Sequence, residues 1–217
     1  MIVIFSIILL ITLSFAIILF QRSKSSLLII LFLPVILSLI YFPPLSLGSQ
    51  SEIETRSAFE LFFNGTPEYR DNNRKKLQIK VNQFVSQEVN TPGEVYLLAK
   101  RLKLIEEYQV AEIAYESLFK NHLEMMDGDI LSEYSQVLYF VSDRNFTDQV
   151  DKVLTKALSK NPLNPTALTL RGLQFFQERN LQAALTEWEK AIKYITNKDE
   201  RLQLEEAVKA LNKIKNQ

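Results

Sequence analysis

The chain has 217 residues, enough for one or two small domains with a buried core. Its 25 basic and 25 acidic side chains cancel, so bulk charge gives no reason to expect a nucleic-acid partner. Cysteine is absent and His122 is the only histidine. This excludes disulfides and thiolate metal sites and argues against histidine metal sites, and no cofactor is expected.

The N-terminal part of the sequence predicts a transmembrane helical hairpin, residues 1–47. An uncharged apolar run over residues 1–20 is long enough to cross a hydrocarbon core of about 30 Å as a helix. A polar break follows at 21–26, and then a second apolar run over 27–47. Pro34 is expected to kink the second helix, and the proline pair at 43–44 to end it.

The charges near these spans predict their orientation. Arg22 and Lys24 are the only charged residues there and lie in the hairpin tip, so the positive-inside rule predicts a cytoplasmic tip and an extracytoplasmic chain after about Gly48. A cleavable signal peptide fits less well, because no basic segment precedes the first run and no small-x-small site follows Phe20. A buried hairpin in a soluble protein would need to cover two uniformly apolar helices.

Residues 48–73 are interpreted as a linker with a juxtamembrane amphipathic segment, Ser51–Phe63. Asn64, Gly65 and Pro67 end that segment, and the polar stretch 69–73 is taken as a continued break. From Arg74 the apolar residues recur on one helical face; they are Leu77, Val81, Phe84, Val85 and Val89. No segment alternates with period two for long, so residues 74–217 are predicted to form an all-α domain.

Two stretches of this domain share a tetratricopeptide (TPR) pattern of small and large residues. In the later stretch, counted from Pro165, Gly172 lies at position 8 and Trp188 at position 24. In the earlier stretch, counted from Pro92, Ala99 and Tyr115 lie at the same two positions. Small residues at position 8 allow two antiparallel helices to approach closely. We therefore predict an α-solenoid of about three helical pairs; an irregular helical bundle is the alternative.

The middle pair follows the pattern less well. With Tyr134 at position 4, Leu138 takes position 8 and lies 34 residues before Gly172, which is the TPR period. An insertion is then expected in the segment 122–129. The chain closes with a predicted capping helix, 199–215, whose apolar face carries Leu204, Val208 and Leu211.

No residue cluster indicates catalysis, so an enzyme is not expected. His122 is interpreted as a surface or helix-end residue, and 127–129 as a solvated turn, because a calcium loop would need a later glutamate that is missing. Binding remains, and in a TPR superhelix the first helix of each pair lines the concave face. The predicted peptide-binding groove consists of exposed side chains: Tyr96, Lys100, Lys103, Leu104, Tyr139, Thr169, Leu173 and Phe176. The alternative is that some of them, Leu173 and Phe176 especially, pack against the neighbouring repeat.

The order of these features, and two segments of the sequence, resemble a known protein family. Two N-terminal spans followed by "NTPGEVYLLAKRLKLIEEYQVAEIAYESLF" and "NPTALTLRGLQFFQERNLQAALTEWEKAI" resemble the CcmI/CycH family of bacterial cytochrome c maturation proteins, over roughly residues 77–192. The pair Trp188–Glu189 belongs to the most specific part. The family usually has a long cytoplasmic segment between its spans, where this chain has only residues 21–26.

The resemblance implies a chaperone anchored in the bacterial inner membrane, with a periplasmic TPR domain. Such a protein holds unfolded apocytochrome c, typically by its C-terminal helix, and presents it to the haem ligation complex. The alternative is a membrane-anchored TPR scaffold in another envelope assembly complex, for pili, secretion or outer-membrane biogenesis. A membrane enzyme is the weakest hypothesis, because the predicted spans contain no ionisable residue.

Overall fold

A computed structural model describes residues 50–215, with side chains over 53–214. The described residues form only helices and no strand, so the all-α class is confirmed for them. The α-helices are α1 (Gln50–Phe63), α2 (Pro67–Val85), α3 (Pro92–Leu104), α4 (Tyr108–Asn121), α5 (Gly128–Val141), α6 (Asp148–Lys160), α7 (Pro165–Gln177), α8 (Leu181–Ile192) and α9 (Lys198–Lys215). A short 3-10 helix, Leu123–Met125, lies between α4 and α5.

The chain divides into two compact units, 1–56 and 57–217. The predicted hairpin, 1–47, lies outside the described residues. Among residues 50–215, no helix combines the length and the apolar character needed to cross a membrane. The packing described below lies within 57–217.

α1 and α2 lie ahead of the first predicted repeat, and α2 packs against α4. The rings of Phe59 and Phe84 pack edge to face with centroids 5.5 Å apart. α2 begins at Pro67 rather than at Arg74, because the Thr66 side chain caps it by accepting a hydrogen bond from the backbone N–H of Tyr69. The interpretation of 69–73 as a break is therefore wrong. The domain division at residue 74 stays a prediction and falls inside α2.

Three helical pairs follow: α3 with α4, α5 with α6, and α7 with α8. Each first helix has a side-chain N-cap. Thr91 forms a capping box with Glu94 at the start of α3, and Asp127 and Asn164 cap α5 and α7. Each first helix also packs against its own partner, and α5 contacts both α4 and α7. This stacking is that of a TPR-like solenoid.

The middle pair differs from the predicted register. α5 begins at Gly128, so the eighth residue of its helix is Ser135, as Ala99 is in α3 and Gly172 in α7. Ser135 is fully buried, and all three first helices therefore have a small residue at this position. The assignment of Leu138 to position 8 of α5 was wrong, because the turn between α5 and α6 is longer than the turns in the other pairs. The turn between α5 and α6 spans 142–147, whereas the turns in the other two pairs span 105–107 and 178–180. An insertion between α4 and α5 is also present, where the 3-10 helix lies.

The short turns within the pairs α3–α4 and α7–α8 share one backbone conformation. Glu106 and Arg179 have φ of 62°, in the left-handed region. The backbone N–H of Glu107 then donates to the carbonyl of Leu102, and the N–H of Asn180 donates to that of Phe175. This is the Schellman arrangement, which satisfies carbonyls at the end of the first helix.

The buried side chains form two neighbouring clusters. The larger runs from Phe59 to α7, and the smaller joins α7 and α8 to α9. α9 buries Leu204, Val208 and Leu211 against the smaller cluster, and Ile214 is exposed. The prediction of an amphipathic helix with these three residues on its buried face is confirmed. Val89, which the sequence placed on a buried face, lies beyond the end of α2 and is exposed.

Candidate functional site

α1 and the first helices of the three pairs, α3, α5 and α7, are linked one to the next by polar side chains. Arg101 of α3 pairs with Glu60 of α1, and Tyr96 of α3 donates to Glu133 of α5. The Gln177 side chain at the end of α7 donates to the hydroxyl oxygen of Tyr139 on α5 at 3.2 Å. We call the surface formed by these four helices the first-helix face.

Glu133 is the polar centre of this face. Its carboxylate accepts hydrogen bonds from the hydroxyl of Tyr115 at 2.9 Å and from that of Tyr96 at 3.2 Å. Lys103 Nζ lies 3.4 Å and Lys100 Nζ 4.0 Å from the other carboxylate oxygen. Only 18% of the Glu133 side chain is exposed, so these four partners replace most of its hydration.

The carboxylate also affects the two phenols. Burial raises the pKa of Tyr115 well above its ordinary value, and the negative charge and hydrogen bond of Glu133 raise it further. The pKa of Tyr96 is raised in the same order of causes. Both phenols therefore remain protonated donors to Glu133 throughout the neutral pH range. Glu133, on α5, is thus bonded to side chains of α3 and α4, and it holds Lys100 and Lys103 at the first-helix face.

A second ion pair lies on the other side of α3. Arg101 forms a bidentate pair with the Glu60 carboxylate, with N–O distances of 2.5 and 3.1 Å. Its guanidinium also lies over the Phe63 ring, 3.9 Å from the centroid. The pKa of Glu60 is lowered, chiefly by the hydrogen bond from Arg101. α3 is therefore held on both sides by charged contacts.

The structure separates the eight predicted groove residues into two groups. Tyr96, Lys100 and Lys103 come together around Glu133, and Leu104 lies one turn further along α3 with 69% of its surface exposed. These four form a continuous patch at the centre of the first-helix face.

The other four residues are used largely for packing. Tyr139 is only 5% exposed, so it is not the exposed aromatic that the sequence suggested; its ring packs on Phe140 and Phe146. Leu173 is half-buried between the two core clusters. The Thr169 carbonyl accepts a hydrogen bond from Trp188 Nε1 at 3.0 Å. Phe176 is exposed but leans on Trp188, with ring centroids 5.8 Å apart. A binding role for the eight residues stays a prediction.

Two residues of this face were missed by sequence reasoning. Leu97, on α3, is 60% exposed and lies two turns from Leu104. Leu97 and Leu104 are seven residues apart and therefore lie on the same side of α3, away from its buried positions. This spacing was the sequence signal for the exposure of Leu97. Glu133 had no such signal, because its partners lie on two other helices.

An open groove of about 270 Å³ lies elsewhere, where α6, α7 and α8 meet. Its lining residues are Leu158, Pro162, Leu168, Arg171, Phe175, Glu187 and Lys190. Arg171 is engaged on the α6 side, donating to Asp151 and to Thr155 at 2.7 Å each. None of the eight predicted groove residues lines it.

The residues singled out for metal chemistry have structural roles. Asp127 caps α5, accepting from the backbone N–H groups of Asp129 and Ile130. Asp129 accepts from the side chains of Asn161 and Asn164, which ties the start of α5 to the start of α7. His122 follows the last residue of α4. Between residues 50 and 215, no three acidic or histidine side chains converge as metal ligands.

Comparison with curated proteins finds a partial likeness. The chain is 30% identical over 71 residues to the cytochrome c-type biogenesis protein CycH of Pseudomonas aeruginosa. The match covers 33% of this chain and 17% of CycH, so it spans about a sixth of the length of that relative. No family model matches the chain. The resemblance noted from the sequence thus has support over one part of the chain.

A solved structure shares the architecture of this chain. The chain is similar to MamA, residues 41 to end, from Desulfovibrio magneticus RS-1, with a TM-score of 0.50 and 17% identity, over 78% of this chain and 87% of that one. The C-terminal part of a TPR repeat-containing protein from Cytophaga hutchinsonii gives a TM-score of 0.48 and 17% identity, over 73% and 58%. At such identity the likeness to MamA shows the fold alone, an all-helical TPR-like solenoid.

Proposed function

We propose that this protein is a non-enzymatic chaperone for apocytochrome c in cytochrome c maturation. The TPR-like fold and the partial likeness to CycH suggest a protein-interaction role. In this proposal the client is unfolded apocytochrome c, held by its C-terminal helix and presented to the haem ligation complex. The partial likeness to a cytochrome c-type biogenesis protein supports this choice of client.

One observation carries the proposal. The first-helix face presents exposed leucines beside two lysines that Glu133 holds in place. An amphipathic helix recognises a surface of this kind by laying its apolar side on the leucines and its charges beside the lysines. Because Glu133 is itself held by two tyrosine hydroxyls, the face needs little reordering before it binds.

Binding can be tested with the full chain reconstituted in lipid nanodiscs. A fluorescent peptide with the sequence of a cytochrome c C-terminal helix is titrated against it, and anisotropy is measured. The control is a peptide of the same composition, scrambled so that its apolar residues no longer share one helical face. We expect micromolar or tighter binding of the first peptide and none of the second. Apocytochrome c should compete with the peptide, and folded holocytochrome c should not.

The proposal is wrong if the helix peptide shows no saturable binding. If pilus, secretion or outer-membrane biogenesis subunits co-purify with the chain in that case, the scaffold alternative is favoured. The peptide result and the co-purification are separate measurements, so the two hypotheses can be told apart.

We also propose that residues 1–47 anchor the protein in the bacterial inner membrane, with residues 21–26 cytoplasmic and the TPR-like domain periplasmic. The support is the sequence pattern of two apolar runs and the positive charge of Arg22 and Lys24. The chain has no cysteine, so single cysteines can be introduced without a background. A membrane-impermeant maleimide applied to cells with a permeable outer membrane should label Leu202→Cys and not Ser25→Cys. The reverse pattern would contradict the orientation.

A further inference from the structure

α3 carries an exposed stripe of three residues: Leu97, Lys100 and Leu104. The two leucines are 60% and 69% exposed, and the Lys100 side chain is 45% exposed. Leu97 and Leu104 are two helical turns apart, about 10.5 Å along the axis. The opposite side of the helix, with Leu98, Ala99 and Leu102, is buried. Two large apolar side chains are thus displayed at a fixed spacing on a well-anchored helix.

The basic side chains beside the stripe are unequally paired. Lys100, Arg101 and Lys103 of α3 form ion pairs with the carboxylates of Glu60 and Glu133. Glu60 is taken by the bidentate pair with Arg101, and Lys103 lies closer to Glu133 than Lys100 does, at 3.4 against 4.0 Å. Of the two lysines at Glu133, Lys100 has the longer contact and the more exposed side chain, 45% against 16%. Its ammonium is therefore placed to pair with a second carboxylate from a partner.

Lys100 is also held in position. Its ammonium lies 5.6 Å from the centroid of the Tyr96 ring, and the Tyr96 hydroxyl donates to Glu133. The positive charge of Lys100 is therefore kept between the two leucines, rather than on a freely rotating side chain. A partner that fits must supply apolar surface at both ends of the stripe and a negative charge between them.

We propose that this stripe is the contact line for an amphipathic partner helix that has an acidic residue between two large apolar residues seven positions apart. The inference rests on the proposed function, because the partner helix would be that of the apocytochrome client. It adds the chemical pattern by which the client is selected. A helix whose spacing matches can place its apolar side chains against both leucines and its carboxylate beside Lys100.

The pattern can be tested with two designed helical peptides. One has leucine at positions 1 and 8 and glutamate at position 4, and the other has lysine in place of the glutamate. The full chain in nanodiscs should bind the glutamate peptide about tenfold or more tightly than the lysine peptide. The variant Lys100→Glu should reverse this preference. Leu97→Ala and Leu104→Ala should each weaken binding of the glutamate peptide about tenfold.

Matched controls alter exposed residues of the same types elsewhere. Leu202→Ala changes an exposed leucine of α9, and Lys76→Glu changes an exposed lysine of α2. Neither should change the affinity more than about twofold, as expected for residues outside an interface. The wild-type preference for glutamate should also shrink as salt is raised, because the charge pair is partly exposed.

The inference is overturned if the stripe variants bind the designed peptides as the wild type does. It is equally overturned if they change only self-association of the chain or its contact with lipid. If the cytochrome helix binds but ignores these variants, the chaperone proposal stands and the stripe inference fails. If the designed peptide obeys the pattern and the cytochrome helix does not bind, the stripe inference stands and the client is wrong.

Discussion

The indole ring of Trp188 occupies the space that a side chain at Gly172 would need, and its Nε1 donates to the carbonyl of Thr169 at 3.0 Å. This contact joins α7 to α8. The glycine therefore serves close helix packing.

We predict that Gly172→Ala lowers the free energy of unfolding by about 1–3 kcal/mol, because the added methyl group overlaps the Trp188 ring. The matched variant is Gly93→Ala. A methyl group there meets only the Thr91 hydroxyl, at 3.9 Å, and alanine is the better helix former by roughly 0.5–1 kcal/mol. Urea unfolding followed by fluorescence of Trp188, the only tryptophan, measures both. Equal effects of the two variants would contradict the packing argument.

Arg179 has φ of 62° in the turn between α7 and α8, which is costly for a residue with a Cβ. We predict that Arg179→Gly raises the stability by about 0.5–1 kcal/mol. Glu178, the preceding residue, has φ of −75°, and Glu178→Gly should bring no gain. The midpoint of urea unfolding is the measurement. A loss of stability in Arg179→Gly would show that contacts of the arginine side chain outweigh the backbone strain.

The protein should lose stability as the pH rises above about 10. Burial, helped by the charge of Glu133, raises the pKa of Tyr115 above its ordinary value of 10.0. The folded state thus keeps a proton that the unfolded state releases, so the stabilising contribution is complete below pH 10 and disappears as the pH approaches the folded-state pKa. Tyr115→Phe should make this decline less steep, and Tyr96 and Tyr134, whose pKa values burial also raises, should account for the rest. Tyr194→Phe, which alters an exposed tyrosine, should retain it. Chemical unfolding at several alkaline pH values distinguishes the two outcomes.

Glu133→Ala should cost more stability than the loss of a surface ion pair. We expect about 1–3 kcal/mol, because two tyrosine hydroxyls and two lysines lose a shared, largely buried acceptor. The comparison is Glu116→Ala, which removes an exposed pair with Lys120 within α4 and should cost at most about 0.5 kcal/mol. If both variants unfold at the same urea concentration, Glu133 does not stabilise the contacts among α3, α4 and α5.

The helical pairs could be predicted because their packing positions lie close together in the sequence. Ala99 and Gly172 mark the close approaches, and Pro92 and Pro165 mark the helix starts. The middle pair was misassigned, because the spacing from Leu138 to Gly172 matches the TPR period by coincidence. The longer turn at 142–147 shifts α6 along the sequence relative to α5. A count based on a fixed repeat length does not include such a shift.

The candidate site was less predictable. Tyr96, Lys100, Lys103 and Leu104 followed from their positions on α3. Glu133 depends on contacts with α3 and α4, which no local pattern contains. Tyr139 was expected to be exposed, but the rings of Phe140 and Phe146 cover it. Helical position thus predicts which way a side chain faces, and burial is decided by the neighbouring helix.

The most direct test of the central claim, that the first-helix face binds the client, is site-specific photo-crosslinking. A photoreactive amino acid is placed at Leu104 on this face, at Lys190 in the groove between α6, α7 and α8, and at Leu202 on α9. Each full-length variant in nanodiscs is irradiated with the cytochrome c C-terminal helix peptide. We predict a crosslinked product from position 104 and none from 190 or 202. Crosslinking from 190 or 202 without any from 104 would contradict the account.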